Sequence, residues 1–308
     1  MAELRYVTVD VFTSRRFGGN PLAVIPDARG LDAEVMQRIA AEFNYSESTF
    51  VLPPRDPAHT AEVRIFSPTR ELPFAGHPNV GTAFVLGRQG ALFGREVGNV
   101  MRFEEGAGLV EVALAREGDA VVGARIEAPR ALEVGPTVDA AAIAACACLP
   151  LEAVVTERHA PCIASVGLSF VLAEVRDLAA LAAARPSAAA FADADARYPR
   201  ADDRLSLFLY TRDTRGSGDG EQVRARMFAP LSNIVEDPAT GSASGALGAF
   251  LTSRRPEADV EARLTITQGV EMGRPSTIEV AVRKTGGVVQ KVAIGGQCVP
   301  VMSGALML

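Results

Sequence analysis

A short pattern occurs twice in this chain and constrains its fold more than any other feature. Arg64-Ile-Phe-Ser-Pro68 and Arg226-Met-Phe-Ala-Pro230 share Arg-x-Phe-x-Pro at the end of a strand-like run. Each is followed by a second shared stretch, Glu71-Leu-Pro-Phe-Ala-Gly76-His77 in one half and Glu236-Asp-Pro-Ala-Thr-Gly241-Ser242 in the other. The step from proline to glycine is eight residues in the first copy and eleven in the second, and both glycines lead into small-residue helical runs with apolar ends. Self-similarity on this scale implies duplication, each half presenting a strand, a loop and a helix N-terminus. A chain of 308 residues with 48% hydrophobic side chains can fill two cores of ordinary size, so two domains are expected.

Charge and cysteine usage narrow the function. The net charge of -6, spread along the sequence, offers no basic stripe for phosphates, which argues against nucleic acid as a partner. Met1-Ala-Glu-Leu-Arg5 lacks the basic end and apolar run of a signal peptide. The most apolar stretch, Ala140 to Val155, contains Pro150 and is too short to span a bilayer. A soluble cytoplasmic protein with no membrane partner is expected. Cys146, Cys148, Cys162 and Cys298 have no CxxC spacing and the histidines are scattered, so neither structural zinc nor a disulfide framework is expected. Cys146 and Cys148 read as small buried thiols. There is no Walker loop and no strand-linked GxGxxG, hence no sign of a nucleotide cofactor.

Runs rich in Val, Ile and Phe predict strands at Tyr6 to Phe12, Ser48 to Leu52, Ala61 to Phe66, Leu109 to Leu114 and Val121 to Glu127. Helical periodicity predicts Leu31 to Phe43, capped by Asp32, and Asn79 to Gly87, with Pro78 at its first position. In the second half, strands are predicted near Ser165 to Ala173, Leu205 to Tyr210 and Gln222 to Phe228, then a helix from Ala243 to Leu251. Four more strands follow, at Leu264 to Gln268, Thr277 to Arg283, Val288 to Ile294 and Cys298 to Val301. The proline-bearing stretch Ala128 to Pro136 reads as the linker, and the segments 179–203 and 212–220 read as surface insertions.

The repeated loops carry the chemistry. The first N–H groups of a helix have no intrahelical partner and its dipole favours an anion. Gly76 and Gly241 admit close approach of a ligand, and His77 and Ser242 add side-chain hydrogen bonds, so the two loops could together grip one carboxylate. The competing reading of each loop is an ordinary helix cap, with Ser242 as N-cap. Glu47, in Asn44-Tyr-Ser-Glu-Ser-Thr-Phe50, and Asp237, ahead of Pro238, are both candidate acid/base groups. Spacing alone does not choose between them.

Several motifs in order give the chain a resemblance to a known family. Val9-Asp-Val-Phe-Thr13, Gly19-Asn-Pro-Leu-Ala-Val24, Ser46-Glu-Ser-Thr-Phe50, Arg64 to Pro68, Glu71 to Pro78 and Glu236 to Ala243 together resemble the PhzF family of phenazine-biosynthesis-like proteins, related in fold to diaminopimelate epimerase. The resemblance runs along almost the whole chain. It implies an α/β (α+β) fold of two similar domains, each a mixed sheet curled around a central helix, with the active site between them. The expected domains are 1–128, completed by 295–308, and 129–294. The resemblance also implies a homodimer and an isomerase without cofactor or metal, acting on a small carboxylate such as trans-2,3-dihydro-3-hydroxyanthranilate. Glu47 then moves a proton between ring carbons, His77, Asp237 and Ser242 bind or orient the substrate, and Gly76 and Gly241 supply backbone donors. Two departures matter. The epimerase relatives place a cysteine in each of these loops, where this chain has His77 and Ser242, which excludes a two-thiol racemase. Ser48 stands where the family has threonine, keeping the hydroxyl.

The expected mechanism is a carbon-acid isomerisation in which partial burial raises the proton affinity of Glu47. One rival is epimerisation or dehydration of a small hydroxy or amino acid with Glu47 and Asp237 as opposed bases. Another is a non-catalytic ligand-binding protein on the same fold.

Overall fold

A computed structural model describes residues 3–198, 204–212 and 220–308. The chain divides into two compact units, Met1–Glu127 with Gly295–Leu308, and Ala128–Ile294.

The first unit opens with β1 (Glu3–Val11), β2 (Asn20–Ile25), α1 (Ala33–Phe43), β3 (Glu47–Leu52), β4 (Ala61–Phe66) and β5 (Glu71–Leu72). It continues through α2 (Gly76–Gln89), a small hairpin of β6 (Ala91–Leu92) and β7 (Arg95–Glu96), then β8 (Val100–Glu105), β9 (Gly108–Glu117) and β10 (Ala120–Glu127). β2 runs parallel to β3 and antiparallel to β1, β3 is antiparallel to β4, and β4 is parallel to β8. The sheet curls around α2, which is buried from His77 to Leu86. Small helical residues permit that closeness: a Cβ on Gly81 would lie 2.6 Å from Leu22 and 2.8 Å from Val11, and one on Gly87 would lie 2.7 Å from Leu114. On the other face of β3, Met36, Ile39 and Ala40 of α1 pack with Phe50, Phe66 and Ile25. Asp32 caps α1 by accepting from Val35 N at 2.8 Å, as its sequence position predicts.

The second unit contains β11 (Glu133–Thr137), α3 (Ala140–Cys146), β12 (Val154–Val155), β13 (Cys162–Ser165), β14 (Ser169–Val175), α4 (Leu178–Ala183) and α5 (Ala188–Arg197). Next come β15 (Leu207–Thr211), β16 (Glu221–Ala229), β17 (Ile234–Asp237), α6 (Gly241–Ser253), β18 (Val260–Gln268) and β19 (Ser276–Thr285). The last strand, β20 (Val288–Met307), begins in this unit and ends in the first, where it pairs antiparallel with β1. α6 is the second enclosed helix, with Gly245 against Ile294 and Gly248 against Val280. Both units are therefore mixed sheets curled around a helix, as expected.

Several local expectations change. The predicted strand Ser165 to Ala173 is a hairpin, because Gly167 at φ +148° turns the chain between β13 and β14. The linker stretch from Ala128 contributes β11, paired with β13. Strands expected at Val288 to Ile294 and Cys298 to Val301 are one strand, because Gly295 and Gly296 let β10 approach closely: a Cβ on Gly295 would meet Ala124 O at 2.8 Å. Segment 179–203 is not a surface insertion over its described part. Leu181 and Phe191 are fully buried, Ala194 nearly so, and all three join the core with Val171, Leu207 and Phe228. α4 packs against β15 and β16, and α5 against α3. Residues 199–203 and 213–219, which complete the two expected insertions, lie outside the described residues. Cys148 is exposed at φ 51°, contrary to the buried-thiol reading, whereas Cys146, Cys162 and Cys298 are buried. Among the described residues no helix is long and apolar enough to cross a membrane.

Candidate active site

In the first unit the site is built where β3 meets the head of α2. Strand alternation sends Glu47 and Thr49 to one face of β3. Thr49 Oγ1 lies 2.8 Å from Thr82 Oγ1 of α2, and Glu47 Oε2 lies 3.4 Å from His77 Nε2. Both side chains of the second pair are largely withdrawn from solvent, with 14% of Glu47 and 7% of His77 exposed. Burial lowers the His77 pKa to about 3, so the imidazole is neutral at physiological pH. No side chain caps α2: its N-cap is Ala75, and Gly76 at its first position is half-buried. The helix begins earlier than predicted, placing Pro78 third, where a missing N–H still removes no intrahelical bond. Asn79 Nδ2 donates to Ala75 O at 3.0 Å, bracing the first turn.

In the second unit the equivalent corner joins β17 to α6. Asp237 is buried, and its Oδ2 accepts from Thr240 Oγ1 at 2.6 Å. Gln268, at the end of β18, holds the same loop at several points. Its Nε2 donates to Asp237 O at 2.8 Å and to Thr240 Oγ1 at 3.1 Å, and its Oε1 accepts from Thr240 N at 3.0 Å. Ser276 Oγ donates to Pro238 O at 2.9 Å. The N-cap is Thr240 and not Ser242, and α6 lacks a side-chain cap bond just as α2 does. Ser242 is half-buried although its neighbours Gly241 and Ala243 are buried. The two helix heads thus share a first turn without a side-chain cap, but only α6 follows a strand that ends on an acid.

The structure brings Glu47, Gly76 and His77 together in the first unit and Asp237, Gly241 and Ser242 together in the second. Sequence reading overlooked Thr240 and Gln268, which fix Asp237. Thr240 stood in plain view beside Gly241, but Gln268 carries no local signal because only the fold delivers it. The buried thiols are unsuited to act as bases: burial pushes Cys146 and Cys162 up to about 11 and Cys298 to about 12. Among the described residues no cluster of three or more His, Cys, Asp or Glu side chains could hold a metal ion.

A family model described as phenazine biosynthesis-like protein matches residues 9–304. An uncharacterised isomerase of Mesorhizobium japonicum is 37% identical over 314 residues, covering 100% of both chains. The trans-2,3-dihydro-3-hydroxyanthranilate isomerase of Pseudomonas aeruginosa is 37% identical over 299 residues, covering 95% of each. Among solved structures, a PhzF-family phenazine biosynthesis protein of Bacillus anthracis superposes with a TM-score of 0.87 at 23% identity, over 100% of both chains, which establishes the shared fold.

Proposed function

Because this chain belongs to the phenazine biosynthesis-like (PhzC-PhzF) family and is a small-molecule isomerase, we propose that it moves a proton between carbons of a small cyclic amino or hydroxy carboxylic acid, with Glu47 as the proton carrier. The observation that carries this reading is the buried contact of 3.4 Å between Glu47 Oε2 and His77 Nε2 at the head of α2. Neither atom completes a hydrogen bond within this contact, but a small approach would let the neutral imidazole donate to the carboxylate in one tautomer and accept from the carboxylic acid in the other. The pair therefore suits a group that both takes and returns a proton. Partial burial excludes water that would compete for the proton.

Asp237 is read as a substrate-orienting residue. Its carboxylate is already engaged by Thr240 Oγ1, which fits an acceptor for a substrate hydroxyl or amino group better than a base facing carbon. Within each unit, the first turn of the enclosed helix, α2 with His77 or α6 with Ser242, is read as a set of N–H donors suited to an anionic group. The relative from Pseudomonas aeruginosa makes dihydrohydroxyanthranilate the first substrate to try.

The test compares wild type with Glu47→Gln on dihydrohydroxyanthranilate and related cyclic amino acids in deuterated water. Wild type is expected to isomerise with solvent deuterium appearing at carbon, and Glu47→Gln to lose about 10²- to 10⁴-fold in kcat, the usual contribution of a general acid/base. Equal rates in the two proteins would remove Glu47 from the role. Deuterium entering with inverted configuration and no shift of the double bond would favour an epimerase instead.

A further inference from the structure

The repeated residues that open the two motifs form the same contact in both units. Arg64 Nε and Nη2 donate to Glu71 Oε1 and Oε2 at 2.7 and 2.6 Å, and Arg226 Nε and Nη2 donate to Glu236 Oε1 and Oε2 at 2.7 and 2.8 Å. In each, the guanidinium also lies over the phenylalanine two residues on, 5.2 Å from the Phe66 centroid and 4.8 Å from that of Phe228. Parallel two-point bonding of this kind fixes direction as well as distance. The copies differ in burial: side-chain exposure is 24% and 43% for Arg64 and Glu71, but 4% and 13% for Arg226 and Glu236. The guanidinium of Arg226 also donates through Nη1 to Leu181 O at 3.0 Å and Ala184 O at 2.9 Å, tying it to α4 and the residue that ends it.

Glu236 immediately precedes Asp237 in β17, and Met227 of β16 pairs with Asp237 across the ladder. Neighbouring residues of a strand point to opposite faces. Clamping Glu236 on one face against Arg226 therefore sets the direction of Asp237 on the other, where Thr240 Oγ1 donates to its carboxylate. In the first unit the residue after the clamped Glu71 is Leu72, so only the second copy orients an acid.

We propose that the Arg226–Glu236 pair is a positioning device for Asp237, anchored through Arg226 on α4 and through Glu236 on β17, and that it sets how well the substrate's polar group is held. The inference rests on the reading of Asp237 as a substrate-orienting residue. The test uses the full chain carrying Glu236→Gln or Arg226→Lys, with circular dichroism and melting temperature recorded beside kcat and KM. Each variant keeps a hydrogen-bonding side chain of similar reach but breaks the two-point charged bond. KM is expected to rise at least tenfold in both, with kcat changed less than threefold. A lowered melting temperature with wild-type KM would mean a structural role alone and would overturn the proposal. Should neither variant fold, Thr240→Val removes the hydroxyl that receives Asp237 without touching the buried charges; it is expected to give the same KM rise, and an unchanged KM would equally overturn the proposal. Glu47→Gln in the same assay keeps the two readings apart. Loss of exchange there with wild-type KM in Glu236→Gln sinks only the positioning role, whereas full activity of Glu47→Gln sinks the site reading itself.

Discussion

Burial sets the behaviour of two residues in the first unit, and they respond to pH in opposite directions. His77 titrates near 3 against an ordinary value of 6.5. Between those values the unfolded chain binds a proton that the folded one refuses, so stability falls as the pH drops from 6.5 toward 3. Glu105, at the end of β8, is pushed up by burial to about 8. Among the described residues neither of its carboxyl oxygens has a hydrogen-bond partner. Here the folded chain keeps a proton that the unfolded one loses, so stability falls as the pH rises from about 4.5 to about 8. Glu105→Gln is expected to abolish that slope and to raise the melting temperature at pH 8.5, while leaving it nearly unchanged at pH 4. Urea titrations across this range decide it, and a slope that persists in the variant would assign it elsewhere. Ser48 is a milder case. Its Oγ is buried without a partner among the described residues, so Ser48→Ala is expected to change stability by less than about 1 kcal/mol.

At the scale of elements, the enclosed helices depend on what their glycines lack. A Cβ at Gly245 would come within 2.5 Å of Ile294, and one at Gly81 within 2.6 Å of Leu22. Gly81→Ala and Gly245→Ala are each expected to destabilise by about 1–3 kcal/mol through overpacking, despite alanine's better helix propensity. A gain in denaturant midpoint for either would show that the sheet yields. The same scale explains what could be read beforehand. α1 was legible from its cap and periodicity, and the helix heads were legible because their glycines and flanking acids recur. α2 and α6 were read too short because both are buried on nearly all sides, which erases the apolar stripe that marks a helix. α4 and α5 read as an insertion because alanine-rich segments look alike on a surface and in a close-packed core, and Phe191 alone did not give them away. The charged fork between Arg226 and Glu236 was present in the motif, but only the ladder showed that its partners face each other.

For the whole molecule, the first unit is discontinuous and the second is a single stretch of chain. The register pairs Glu3 with Met307 and Val11 with Cys298. Removing residues 295–308 is expected to lower the denaturation midpoint of the first unit and to leave that of the second largely intact, as hydrogen exchange followed peptide by peptide would reveal. Uniform loss of protection in both units would contradict it. Nothing local announced this pairing, since the glycines at 295 and 296 read as the end of a strand. The split of the chain also imposes an order in time. At about 5–20 residues per second, ribosomal synthesis separates β1 from the end of β20 by about 15–60 s. Throughout that interval the nascent β1 has emerged without the strand that will cover it, and an open edge of this kind invites pairing with other chains. The continuous second unit can be completed while the first still waits, so the unit that holds Glu47 is the last to close.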